Sequence, residues 1–202
     1  MSGTSKRPPV DPVEASREFT DARAVLVLDD TAPVPAEESD AGEIVSGGDG
    51  PLVVVGFTRR DRRLAAACAG RERDVFLVDA APTGGERAVP DRLTVEPVAS
   101  PTDLTGVGIA LEECCEQLDP DDGAPVCWIP SLTALLQYVD AQRGYRFCNA
   151  VANRVAGSGG STQFGLQSSA HDEQTVATFE SLVDVVVDQT TDGASVRRRR
   201  RV

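Results

Sequence analysis

Short apolar runs alternate with stretches of helical spacing along most of the chain. The runs are Ala24 to Leu28, Leu52 to Phe57, Val75 to Val78, Leu93 to Val95, Pro125 to Ile129, Thr162 to Leu166 and Asp184 to Asp188, each short enough for a strand. Ala24 to Leu28 is apolar without a break, as in strands buried on both faces. Between the runs, Asp61 to Ala69 fits one helix. Thr102 to Leu118 fits a second, with Asp103 near its start and Leu104, Val107, Leu111 and Leu118 at helical spacing. Leu132, Leu135, Leu136 and Val139 line a third, and a fourth from about Gly144 to Ala156 carries Phe147, Val151 and Val155. Ser169 with Asp172 three residues on resembles a capping-box start for a fifth, whose face is Val176, Phe179, Leu182 and Val183. One further short helix fits around 36–45. Pro82 to Pro90 and Gly157 to Ser161 read as loops, and Ser195 to Arg199 as a terminal strand with a basic end. Strand and helix alternating this many times predict an α/β fold: a mostly parallel sheet with helices on both faces, in three α/β/α layers.

At 202 residues the chain is long enough for one sizeable core. Residues 1–20, with three prolines among charged and small residues, read as a flexible tail, and 21–202 as a single domain. Net charge is −12, and 19 of the 20 basic residues are arginine; Lys6 is the one lysine. An acidic surface almost free of lysine suits concentrated salt, where repulsion is screened over about 3 Å at 1 M. A halophilic cytoplasm is the expected setting. No apolar leader opens the sequence, and no run approaches the ~20 residues that span a bilayer, so no membrane association is expected. Cys68, Cys114, Cys115, Cys127 and Cys148 form no C-x-x-C pair and fall mostly in apolar stretches, which predicts reduced, buried thiols without disulfide or metal.

The segment Val126-Cys127-Trp128-Ile129-Pro130-Ser131-Leu132-Thr133-Ala134-Leu135 resembles KaiC-type members of the RecA group, which have an apolar strand followed by Asp-Ser-Leu-Thr-Ala-Leu. Ser169-Ala170-His171-Asp172-Glu173-Gln174-Thr175-Val176, running on into Leu182 to Val187, is similar to an uncharacterised haloarchaeal group of KaiC-like proteins without a phosphate loop. The resemblance spans about Ala24 to Arg199 and implies a RecA-like domain. It also implies assembly through subunit faces, as a homo-oligomer or with an active KaiC-like ATPase.

Two departures bear on the chemistry. A phosphate loop needs Gly-x-x-x-x-Gly-Lys-Ser/Thr after the first strand, because backbone N–H groups wrap the phosphates and lysine meets their charge. Here Asp29-Asp30-Thr31-Ala32-Pro33-Val34-Pro35 follows: carboxylates repel a triphosphate, and proline lacks the N–H. At the second site Pro130 stands where the family phrase has the magnesium-supporting Asp. Loss at both predicts abandoned hydrolysis, with no catalytic, cofactor or metal residues.

The remaining candidates are weaker. Ser131 reads as a helix cap. His171, the one histidine, stands beside Asp172 and Glu173 as an acid–base candidate, although sequence neighbours on a helix point about 100° apart and the simpler reading is a capped first turn. Thr58, Arg59 and Arg60 follow the second strand, where open α/β sheets place ligands, and form a candidate anion group; a solvated loop is the plainer alternative. Gly157 to Ser161 precedes a strand instead of opening a helix, and Gly106-x-Gly108 is too short for a dinucleotide fingerprint. Arg197 to Arg201 could bind nucleic acid or an acidic partner, but high salt weakens such contacts and no aromatics interleave to stack bases; the plainer reading is a frayed basic strand end packing on the protein's own acidic face. The expectation is a non-catalytic interaction or regulatory (signalling) module, with a protein partner or a second copy. The alternative is a nucleotide- or anion-binding protein or enzyme with a non-Walker pocket at the strand ends.

Overall fold

A computed structural model describes residues 22–29, 50–69, 74–82, 90–190 and 193–198. The tail 1–20, the helix expected near 36–45, and Lys6, Asp30, Pro33 and Pro35 lie outside the described residues.

Among the described residues eight strands form one sheet: β1 (Ala24–Asp29), β2 (Leu52–Gly56), β3 (Val75–Asp79), β4 (Leu93–Pro97), β5 (Val126–Ile129), β6 (Ser161–Leu166), β7 (Val185–Thr190) and β8 (Gly193–Arg198). Their order is β4-β3-β2-β5-β6-β1-β7-β8, parallel throughout except for the antiparallel pair β7/β8. The helices are α1 (Arg59–Ala69), α2 (Leu104–Glu116), α3 (Leu132–Leu135), α4 (Ala141–Gly157) and α5 (Glu173–Glu180).

Side chains alternate across a strand, so each strand feeds two cores. Val53 and Val55 of β2 join the cluster holding Val107 and Leu111 of α2, Leu132 and Leu135 of α3, Val151 and Val155 of α4, and Phe179 of α5. Leu52 and Val54 face the other way, onto Leu64 and Ala65 of α1. Helices therefore cover both faces, in the mostly parallel α/β arrangement that the apolar runs imply. Each fully buried Val, Leu or Phe contributes about 1.5–3 kcal/mol. Phe57 and Phe147 add an edge-to-face contact at 6.4 Å between ring centroids.

Several boundaries differ from expectation because short-range capping decides them. α3 stops after Leu135; the N–H groups of Gln137 and Tyr138 turn back to Ala134 and Leu135. Asp140 is extended and accepts from Arg143 N at 2.8 Å, so α4 begins at Ala141, ahead of Gly144. Gly144 sits inside α4, where a Cβ would meet Leu136 at 3.1 Å and the Phe179 ring at 3.4 Å. The last helix is capped by Asp172, whose carboxylate accepts from Thr175 N at 2.7 Å; Ser169 belongs to a preceding 3-10 turn. Leu182 and Val183 lie beyond its end. β8 forms as expected, and the Arg197 guanidinium reaches Glu180 Oε1 at 2.8 Å.

All five cysteines are free thiols. Burial pushes Cys114 up to about 12, and Cys127 and Cys148 higher still. In a native thiol titration at pH 8, the half-buried Cys68 and Cys115 are expected to react ahead of these three, which should react only as the protein unfolds. Five equally fast thiols would contradict this core.

Candidate functional site

The carboxyl ends of parallel strands are where an α/β sheet collects polar groups, and two clusters form there. The first is an open cleft of about 460 Å³, with Leu28 of β1 and Asp188 of β7 at its floor and α5 as one wall. Ser168, Ser169, His171, Glu173 and Glu180 complete its polar lining. His171 is half-buried, and its Nε2 lies 3.1 Å from Thr133 Oγ1. The same hydroxyl accepts from Gln167 N at 3.1 Å, and Ser131 Oγ caps the neighbouring turn by accepting from Ala134 N at 3.0 Å. The strand-plus-Ser-Leu-Thr phrase and the lone histidine, 38 residues apart, thus meet through one threonine. Asp172, beside His171 in sequence, is fully exposed and turned to its cap; hydrogen bonds from Thr175 hold its carboxyl below the usual range. No three carboxylate, thiol or imidazole groups converge as a metal site among the described residues.

At the end of β5, Pro130 is held by its backbone. Its carbonyl oxygen lies over Gly165 of β6 so closely that a Cβ there would stand 2.2 Å away. At the end of β1, Asp29 pairs in register with Gln189.

The second cluster follows β2 and β3. Thr58 and Asp61 cap α1 reciprocally: Asp61 Oδ2 accepts from the N–H groups of Phe57 and Thr58, each at 2.9 Å, and Thr58 Oγ1 accepts from Asp61 N at 3.2 Å. Asp61 is 1% exposed, and desolvation raises its carboxyl above 3.8 despite these bonds. Beside it Arg62 Nε donates to Asp79 Oδ2 at 2.7 Å, Nη2 donates to the same oxygen, and Asp79 Oδ1 accepts from Ala81 N at 3.1 Å. The N–H groups of Phe57, Thr58 and Asp61 at the opening of α1 are therefore already held by an internal carboxylate and hydroxyl. Arg59 is exposed and Arg60 half-buried, and none of Thr58, Arg59 and Arg60 lines the His171 cleft. Asp61, Arg62 and Asp79 were not anticipated from sequence. Thr58-x-x-Asp61 carried a readable capping signal, whereas nothing local joins Arg62 to Asp79.

A largely parallel eight-stranded α/β sheet with a polar cleft at its strand ends defines the class. The chain belongs to a family of unknown function, DUF7504, whose model matches residues 14–189. No curated protein matches it. Among solved structures it is similar to a Pyrococcus horikoshii OT3 protein from a structural study, at 12% identity and a TM-score of 0.59 over 94% of this chain and 92% of that one. An uncharacterised protein from Pyrococcus horikoshii, solved in complex with an unknown peptide, is similar at 13% identity and a TM-score of 0.57, over 91% and 86% of the two chains. At these identities the likeness is one of fold.

Proposed function

We propose that this chain is a non-catalytic protein of RecA/KaiC-like descent, working as an interaction or regulatory module in a salt-rich cytoplasm. The observation that carries the reading is the pair of departures at the ends of β1 and β5, the two strands that flank β6. β1 closes on Asp29, where a phosphate loop would need uncharged N–H donors. β5 runs into Pro130, which has no side-chain oxygen for a magnesium-bound water and whose carbonyl is seated against Gly165. A phosphoryl-transfer site depends on positioned donors and a metal carboxylate, and neither position supplies them. The peptide-bound Pyrococcus relative supports a protein-facing role for this fold.

Incubation of the full chain with Mg-ATP or Mg-GTP in molar KCl is expected to release no phosphate above a blank and to leave the melting temperature unchanged. A ligand at 100 times its Kd stabilises by about 2.7 kcal/mol. In a chain of this size that raises the melting temperature by about 5–10 °C. Such a shift, or turnover, would overturn the proposal.

One observation favours a second reading, of a small anionic or nucleotide ligand in a non-Walker pocket: the cleft gathers Ser168, Ser169 and His171 at the strand ends. Against it, Glu173 and Asp188 line the same cleft and repel an anion. The same melting screen separates the two readings, and a protein partner or self-assembly is sought by light scattering.

A further inference from the structure

We propose that the outward face of α1 receives an acidic helix of a partner protein, whose carboxylates pair with Arg59 and Arg63. This deepens the interaction-module reading and rests on it only for the premise that the chain binds a protein.

Four of the first five residues of α1 are arginine, in a chain with 32 acidic residues against 20 basic ones. Two of the four are engaged within the molecule: Arg62 is held by Asp79, and Arg60 also has a partner. Arg59 and Arg63 are exposed, and their guanidinium groups enter no ion pair or hydrogen bond among the described residues. They stand one turn apart on the same side of α1, about 6 Å along its axis, with exposed Ala67 one turn further on. This arrangement works against the helix. Cations are disfavoured at the amino-terminal end of the macrodipole, and like charges four residues apart repel. The acid of this turn, Asp61, is buried and turned to the N–H groups of Phe57 and Thr58, so it pairs with neither arginine. Two cations kept where the fold gains nothing from them are explained by a carboxylate that arrives from outside.

Their place in the sheet agrees. From β2 the chain leaves through α1 towards β3, and from its neighbour β5 it leaves through α3 on the opposite face. The carboxyl ends of β2 and β5 are therefore where the connections diverge, the point at which open α/β sheets take up ligands.

The chemistry at that point selects the occupant. A phosphate would call on the N–H groups of Phe57, Thr58 and Asp61, and these are already held. Single-stranded nucleic acid needs aromatics to stack its bases, and α1 has none; a long phosphate backbone would also meet the −12 of the whole chain. A protein carboxylate needs neither pocket nor backbone donor, because it meets a guanidinium at the surface through paired N–H···O bonds. Glutamates four residues apart on a partner helix match the spacing of Arg59 and Arg63, and the small Ala67 lets the two helices approach closely. At bonding distance such charges lie within the roughly 3 Å over which molar salt screens.

The test uses the full chain in about 0.5 M KCl and three labelled probes read by anisotropy. The probes are an alanine-based helical peptide of about sixteen residues with Glu at every fourth position, its Gln counterpart, and an oligouridylate. The Glu peptide is expected to bind at least about tenfold more tightly than the Gln peptide. The double variant Arg59→Ala, Arg63→Ala should bind it about tenfold more weakly, with a melting temperature no lower than the parent's, since alanine relieves the repulsion. The control Arg143→Ala, Arg146→Ala removes two other exposed arginines, on α4, and should stay within about twofold of the parent. Absence of binding, equal affinity for the Glu and Gln peptides, equal losses in the two variants, or displacement of the Glu peptide by oligouridylate would each overturn the proposal. So would a dimer, seen by light scattering, that the Arg59→Ala, Arg63→Ala variant dissolves, because the occupant would then be a second copy. None of these outcomes alters the nucleotide result, so the non-hydrolytic reading stands or falls separately.

Discussion

Replacing Asp61 with alanine is expected to lower the free energy of unfolding by about 3 kcal/mol, while Asp61→Asn should stay within about 1 kcal/mol of the parent near neutral pH. Asp61 Oδ2 is the acceptor for the N–H groups of Phe57 and Thr58 where β2 passes into α1, and the Phe57 N–H is buried. Alanine strands both donors and removes one half of the reciprocal cap. Asparagine keeps a carbonyl oxygen for the same two N–H groups and removes a charge whose desolvation is unfavourable. The pH dependence follows from the raised carboxyl. Between 3.8 and its folded value the native chain holds a proton there that the unfolded chain has released, so the contribution of this group to stability falls as pH rises through that window. Below 3.8 the penalty is absent, and above the folded value it is fully present. Asp172, held below 3.8, has the opposite sign: its stabilisation is present above 3.8 and fades as pH falls towards its folded value. Urea melts of the parent and Asp61→Asn across acid pH should therefore give a difference that grows with pH through the Asp61 window and then levels off. Parallel curves would show that Asp61 titrates as it does in the unfolded chain.

Gly165→Ala is expected to cost about 3 kcal/mol, read as a fall of about 6–12 °C in melting temperature. The added Cβ would stand 2.2 Å from the Pro130 carbonyl oxygen and 3.0 Å from its carbon, and both are backbone atoms with no rotamer to yield. Gly165 pairs with Val27 near the middle of the sheet, so β6 has little freedom to withdraw. A matched control is Gly108→Ala: nothing lies within 4 Å of its Cβ position inside α2, and it should gain up to about 1 kcal/mol. Placing an aspartate at position 130 would leave the contact intact, because the obstructing atom belongs to the main chain. If Gly165→Ala melts with the parent, the close seating of the β5 exit against β6 is wrong.

Much of the architecture was legible because parallel, doubly buried strands write themselves as uninterrupted apolar runs. Val53-Val54-Val55 cannot satisfy two faces otherwise. Helix ends were less legible. Asp140 and Asp172 start their helices by accepting single N–H groups, a choice decided within one turn and only weakly marked in sequence when Ser169 offers a rival three residues earlier. The candidate site was legible one residue at a time but not as a set. Ser131 reads correctly as a cap, yet the meeting of His171 with Thr133 depends on β5 and β6 being neighbours, and the Arg62–Asp79 pair on β2 lying beside β3. Those adjacencies are properties of strand order, which no local spacing encodes.

The place of β1 has a consequence for how the protein is made. Its neighbours are β6 and β7, so Ala24 waits for Thr162 and Val25 for Val185. At about 5–20 residues per second, the ribosome leaves this strand without a partner for on the order of ten seconds. For that interval an Ala-Val-Leu-Val-Leu segment of high β-propensity is synthesised but unpaired. Newborn chains should thus depend on chaperones at their amino-terminal end, and a stalled or truncated product lacking β6 and β7 should aggregate through β1 before any other strand.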